Sequence, residues 1–291
     1  MTPPQKVKKA IIAVAGSGTR FLPATKSQPK EMLPIVDKPI VQYIVEEMVN
    51  SGITDIILVT KWDKKSLEDH FDRSFELEHT LEKSGKLDLL KTVRDVSNMA
   101  NFVYVRQKGP YGNGTPVLSA ANLVRGEPFV FAWGDDLVLS KTPFTKHLID
   151  TYEAHGAPVI GVQRVKEEHV NRYGIVDLHP GTKQMRNVVE KPKVGEAPSL
   201  LAQFGRMVLT PEIVSILENT PLGKGNELWV TDAISHYVKG GGKFMVEEVN
   251  DGEWLTTGDP LNFLRATVEH ALRREDIGND FKEYLRGLDL S

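Results

Sequence analysis

Residues 7–15, VKKAIIAVA, form a short apolar run that ends in small residues and leads straight into Gly16-Ser17-Gly18-Thr19-Arg20. This junction constrains the fold more than any other feature of the chain. An apolar run of this length without alternation reads as a parallel strand buried on both faces. Glycines directly after such a strand let backbone N–H groups approach an anion at the carboxyl edge of an open α/β sheet. A helix is expected next. Asp37 is its N-cap candidate, Pro39 falls in the first turn, and Ile40, Val41, Ile44, Val45, Met48 and Val49 make one apolar stripe that Gly52 closes. Residues 55–60, DIILVT, then supply a second strand, so the opening is a βαβ unit with a right-handed crossover.

The alternation continues. Helices are expected over 63–71, 115–124 and 144–155, and strands over 102–106, 128–133 and 158–165. The strand over 128–133 runs into Gly134-Asp135-Asp136. Between Tyr173 and Val208 the pattern changes to short β-rich pieces (YGIVDL, MRNVVE, AQFGRMVL) separated by Pro and Gly, which predicts an inserted antiparallel layer. Helices over 211–219 and 231–239, a strand over 243–249, and amphipathic helices over 261–275 and 280–285 complete the chain. No repeat or linker of disordered composition divides it, so 1–291 reads as a single α/β domain.

Composition removes several function classes. There is no cysteine among the 291 residues, which excludes disulfides and thiolate zinc sites. The net charge of -3 gives no general field for nucleic acid, so none is expected as a partner. The apolar run after the basic N-terminus is too short for a signal sequence. No stretch of ~18 apolar residues exists, so no membrane partner is expected and the cytoplasm is the expected compartment. The glycine loop is not a dinucleotide fingerprint, because Phe21 stands where its third glycine belongs and Pro23 follows. Nor is it a P-loop, since Gly-Lys-Ser/Thr occurs nowhere.

By itself a G-x-G after a strand is equally well a tight turn. Its continuation is more telling: Arg20, Lys26 and Lys30 are interleaved with Pro23, Pro29 and Pro34, a basic loop stiffened as if around an anion. The segment AGSGTRFLPATKSQPKEMLPIVDKPIVQY resembles the nucleotide loop of sugar-nucleotide pyrophosphorylases, and most closely that of the bacterial UDP-glucose pyrophosphorylase family. The resemblance implies a Rossmann-like open mixed sheet of the nucleotide-diphospho-sugar transferase type, with a β-rich sugar-side insertion and C-terminal helices. It divides the chain into a nucleotide half over about 1–140, a sugar-phosphate side over about 141–260 and a helical end over about 261–291.

The resemblance also implies roles. Ala15, Gly16, Gly18, Thr19, Arg20 and Lys30 would bind the nucleotide, together with Gln107 and Gly112 of the base-recognition segment. An amide suits a uracil edge because it offers a donor and an acceptor together. Asp135 would hold Mg²⁺ and lie on the sugar-phosphate side with Tyr173, Gly174, Glu190 and Lys191; Gly205-Arg206 falls there too. An acceptor-only Glu suits sugar hydroxyls and a point-charge Lys suits a phosphate. Arg20, Lys30 and Lys191 would be the catalytic cations. The sequence departs from the family at Gly134, where Pro is more usual, in Gly225-Asn226-Glu227, usually Gly-Asp-Glu, and at Thr256, where relatives carry a second metal-binding aspartate. Asp251 and Asp259 are the candidates to replace it.

The implied reaction is UTP plus glucose 1-phosphate giving UDP-glucose plus pyrophosphate, in a homodimer or homotetramer. Another nucleotide such as dTTP, another sugar 1-phosphate, or a poorly active regulatory paralogue are the alternatives. None of the eight histidines falls in these segments.

Overall fold

The computed structural model describes residues 4–289. β1 (Lys9–Ala13) leads into the glycine loop, and a hairpin of β2 (Pro34–Ile35) and β3 (Lys38–Pro39) leads out of it into α1 (Ile40–Asn50) and β4 (Asp55–Thr60). α2 (Lys65–Phe71), α3 (Phe75–Lys83) and α4 (Leu87–Asn98) precede β5 (Asn101–Arg106), and α5 (Thr115–Ala120) precedes β6 (Phe129–Trp133). Then come β7 (Asp136–Ser140), α6 (Phe144–His155) and β8 (Val159–Arg164), followed by β9 (Gly174–Leu178), β10 (Met185–Glu190) and β11 (Leu201–Leu209). α7 (Pro211–Glu218), α8 (Val230–Lys239), β12 (Met245–Glu248), β13 (Gly252–Thr256), α9 (Pro260–Leu272) and α10 (Gly278–Arg286) end the chain.

Nine strands make one mixed sheet in the order β10-β9-β11-β6-β1-β4-β5, with β8 and β12 joined at the far edge of β11. β1 pairs in parallel with β4 and β6, whereas β11 runs antiparallel to β6. The antiparallel strands expected over 173–208 are present, β10 with β9 and β9 with β11, and they extend the central sheet. The reason is burial. Every residue of β11 is buried, so it needs cover on both faces and belongs in the middle of a sheet. β11 pairs with β9 through Leu201 and Ala202 and with β6 through Arg206 to Leu209. Gln203 to Gly205 therefore span a split between the start of β9 and the end of β6, and the cleft described below opens there.

Side chains alternate across β11 onto two cores. Phe204 and Val208 join the core beneath α1, α6 and α9, while Met207 and Leu209 join the one beneath α5, α7 and α8. Arg206 faces the first core and is fully buried. It pairs with Glu47 at 2.9 Å and donates to the carbonyls of Asp136 and Gly205, both at 2.7 Å. It ties α1, β7 and β11 together and does not belong to the sugar-phosphate side.

Three further differences from the sequence reading have local causes. Asp37 does not cap α1: its carboxylate pairs with Arg274 at 2.6 Å, Lys38 and Pro39 are spent in β3, and the helix starts at Ile40. α3 and α4 escaped the periodicity reading because each buries a thin stripe, with Leu81 on one and Leu90 on the other as the buried apolar residues. β7 and β13 pair only with each other, away from the main sheet, and their sequences carry no turn signal between two apolar runs.

Candidate active site

A cleft of about 450 Å³ lies at the carboxyl end of β1 and β6, bounded by Ala15, Gly16, Lys30, Gln107, Gly112 and Asp135 on one side and by Tyr173, Gly174, Glu190 and Lys191 on the other. The glycine loop folds on itself through Thr25 Oγ1, which donates to the Gly18 carbonyl at 2.7 Å, and Gly18 takes a φ of 63° that glycine adopts without strain. Beneath it runs a buried ion pair, Lys64 to Glu31 at 2.6 Å. Burial pushes the Glu31 carboxyl up and the Lys64 ammonium down, each opposed by its partner. This brace was not legible in the sequence, since a lysine after a strand reads as surface.

Lys30 is ion-paired to Asp135 Oδ2. Burial works against its ammonium, but Asp135, Glu31 and Asp136 outweigh it and hold the pKa above the ordinary lysine value. Gly18, Thr19 and Arg20 do not line the main cleft. Arg20 crosses the chain instead to donate to the Gly258 carbonyl at 3.1 Å. Seen from the Cβ position of Gly258, Asp135 Oδ2 is at 3.3 Å, Thr256 Oγ1 at 3.4 Å and Arg20 Nη1 at 3.5 Å. The β7–β13 ribbon, which pairs Thr256 with Asp136, therefore brings residue 256 beside Asp135 as the resemblance implied. Asp251 and Asp259 have other partners in the fold. Asp251 sits 3.8 Å from His147 at the far end of the ribbon, and Asp259 caps α9 through the Asn262 amide at 3.1 Å.

Asp136 is the other carboxylate here. Its oxygens accept from the Gly205 amide and the Trp254 indole, both at 2.9 Å. Burial first, and then the neighbouring Asp135 charge, push its pKa up to about 6. It is held away from the cleft and fixes the start of β7 against β11.

Residues 111–114 dock on the segment before α8. The Leu228 amide donates to the Tyr111 carbonyl at 2.8 Å, the Gly114 amide to the Leu228 carbonyl at 2.9 Å, and the Val230 amide to Asn113 Oδ1 at 2.8 Å. Gly112, at φ 123°, has the Leu228 backbone where a Cβ would stand. Glycine is required here by close approach of two backbones. On the opposite wall, Lys191 sits 3.7 Å from Glu190, and its ammonium lies 4.5 Å over the Trp229 ring. Burial raises the Glu190 pKa, opposed by a hydrogen bond from Thr231 and by Lys191. Trp133, Arg172, Gln203 and Trp229 also line the cleft. Sequence reasoning did not single them out, because isolated polar or aromatic residues carry no spacing signal.

A nucleotidyl transferase family model matches residues 9–272. The chain belongs to this family. Among its relatives, a UTP–glucose-1-phosphate uridylyltransferase of Staphylococcus epidermidis is 48% identical over 292 residues, covering 98% of this chain and 100% of that protein. A UTP-bound UDP-glucose pyrophosphorylase of Acinetobacter baumannii superposes with a TM-score of 0.90 at 38% identity, covering 97% of this chain and 100% of the other. A UDP-glucose pyrophosphorylase complexed with UDP-glucose gives 0.82 at 36% identity, over 92% and 100% of the two chains. The nucleotidyl transferase fold thus accounts for the whole sheet.

Proposed function

We propose that this nucleotidyl transferase is a UTP–glucose-1-phosphate uridylyltransferase, forming UDP-glucose and pyrophosphate. The observation that carries the reading is the convergence on one cleft of a cationic glycine loop and a Glu190–Lys191 wall, in a chain similar over its full length to enzymes of that name. A phosphate oxygen of glucose 1-phosphate attacks the α-phosphorus of UTP, and the bond to the β-phosphate oxygen breaks as pyrophosphate leaves. The nucleophile is already anionic at neutral pH, so no general base is needed. Bringing two polyanions together is the barrier, and positioned cations lower it.

In this reading the loop from Ala15 to Arg20 and Lys30 bind the triphosphate, and Gln107 and Gly112 face the base. Tyr173, Gly174 and Glu190 face the sugar, and Lys191 grips its phosphate. Enzymes of this family generally use a divalent metal. The donors fit Mg²⁺, which is usually held by one or two carboxylates with substrate phosphates and water. Asp135, partly exposed at the cleft, is the carboxylate that would hold it. Bound there, the ion would neutralise phosphate charge. The division into a nucleotide half, a sugar side and a helical end follows the same reading. No described helix is long and apolar enough to cross a membrane. Work in the cytoplasm as a homodimer or homotetramer rests on the family resemblance, and sedimentation tests the oligomer.

Pyrophosphate release measured over four nucleotides and several sugar 1-phosphates tests the proposal. UTP with glucose 1-phosphate should give the highest kcat/KM; a clear preference for dTTP or another sugar overturns it. Thr256 favours one second reading, a paralogue that binds nucleotide sugar and turns over poorly. Tight UDP-glucose binding without turnover would support that instead.

A further inference from the structure

Glu190, Gly174 and Gln203 stand in one row across three strands. Glu190 pairs with Gly174 between β10 and β9. The β9–β11 register, Leu201 with Val176 and Ala202 with Ile175, brings Gln203 to the other side of Gly174. Because Gly174 has no side chain, the two long polar side chains meet over it. A Cβ there would stand 2.7 Å from Gln203 Nε2 and 3.0 Å from Glu190 Oε2. Thr231, in the first turn of α8, closes the row. Gln203 Nε2 donates to Thr231 Oγ1 at 3.0 Å, and Thr231 Oγ1 donates to Glu190 Oε2 at 3.0 Å. Gln203 and Thr231 are each 2% exposed, so water cannot stand in for either.

The chemistry of the three groups sets the direction of these bonds. A carboxylate only accepts, so the Thr231 hydroxyl gives its proton to Glu190 and takes one from the Gln203 amide. Gln203 Oε1 is left buried with no partner among the described residues. A protonated Glu190 would suit the opposite order, donating to Thr231, which would donate to a flipped Gln203 oxygen. The order with Gln203 Nε2 facing Thr231 serves an ionised Glu190, and it leaves Glu190 Oε1 for other donors.

We propose that Gln203 and Thr231 are positioning residues of the sugar site: their relay keeps Glu190 ionised and aimed into the cleft as an acceptor for hydroxyls of glucose 1-phosphate. The proposal rests on the reading of Glu190 as the sugar-hydroxyl acceptor. The charged groups facing Glu190 are Lys191 at the end of its own strand, Asp232 on α8 and Lys224 on the preceding turn. β9 and β11 present none at this row. The Thr231 hydrogen bond is therefore the main local interaction opposing the burial that favours the neutral acid.

The test measures the KM for glucose 1-phosphate from pH 5.5 to 8.5, as the ratio of variant to wild type, which cancels the ionisation of the sugar phosphate itself. Thr231→Val should raise this KM by about tenfold at the acid end and less at the alkaline end, as expected for losing a hydrogen bond to a charged group. The KM for UTP should not move. Gln203→Met should act in the same direction more weakly, and Thr231→Ser should restore the wild-type profile. Gln203→Met and Thr231→Ser carry the test if Thr231→Val fails to fold. A pH-independent loss, or folded variants with an unchanged profile, overturns the relay. Glu190→Gln separates the two layers. If it leaves the glucose 1-phosphate KM unchanged, the reading of Glu190 is wrong. If it raises that KM while the Thr231 and Gln203 variants do nothing, the relay alone falls.

Discussion

Asp135, Thr256 and Arg20 meet around Gly258, with Lys30 paired to Asp135, and Arg20 and Thr256 each offer a separate experiment. Arg20 is anchored by the Gly258 carbonyl beside Asp135, where it would face the phosphates that leave. Arg20→Ala should lower kcat/KM by on the order of 10²-fold, the usual loss when a charge on a departing group is removed. A folded variant with near wild-type kcat/KM would remove Arg20 from the site. Thr256→Asp places a second carboxylate beside Asp135. In titrations of rate against Mg²⁺ it should lower the concentration for half-maximal rate, because a hard cation prefers anionic oxygen. In EDTA the same variant should bind UTP more weakly, since like charges then face each other in a partly desolvated gap. Curves that coincide with wild type in both measurements would mean residue 256 does not face the phosphates.

Elements differ in how much of their role the sequence discloses. β1, β4 and α6 are legible from apolar runs and stripes alone, and α6 matches the expected 144–155. The loop residues Ala15, Gly16 and Lys30 were legible because glycines, prolines and cations crowd into one short segment. β7 and β13 were not, since their pairing joins residues far apart in the chain and no local pattern encodes it. For the same reason Gln203 gave no signal: its meaning lies in a row across strands. Gly112 was found by resemblance, but its physical cause emerged only in the fold, where its segment docks on Leu228. Gly112→Ala should destabilise the protein by on the order of 1–3 kcal/mol through backbone strain alone. It should also raise the KM for UTP. Denaturant titration and a UTP saturation curve check both, and an unaffected variant would mean that this docking is not needed.

At the scale of the whole molecule, Asp136, the first residue of β7, ties the β7–β13 ribbon to the main sheet, since it holds the Gly205 amide of β11 and the Trp254 indole of β13. Its folded pKa, about 6, lies above the ordinary 3.8. A raised carboxyl stabilises the fold below about pH 4, and that contribution is lost as pH rises through about 6. Wild type should therefore lose on the order of 2–3 kcal/mol relative to Asp136→Asn between pH 4 and pH 7. The variant starts lower, because the amide NH2 that replaces one carboxylate oxygen cannot accept the bond made there. Chemical denaturation at several pH values measures the difference, and a gap that stays constant with pH refutes the raised pKa. The split along β11 has a consequence of another kind. The width of the cleft is set by where β9 starts and β6 stops, while β8 supports β11 along its other edge. A lineage can retune the size of its substrate by trimming or extending those two strand ends, leaving both hydrophobic cores as they are. Descent with altered specificity then proceeds through residue-by-residue changes in strand length at a gap, a path that avoids the destabilised intermediates that repacking an interior would demand.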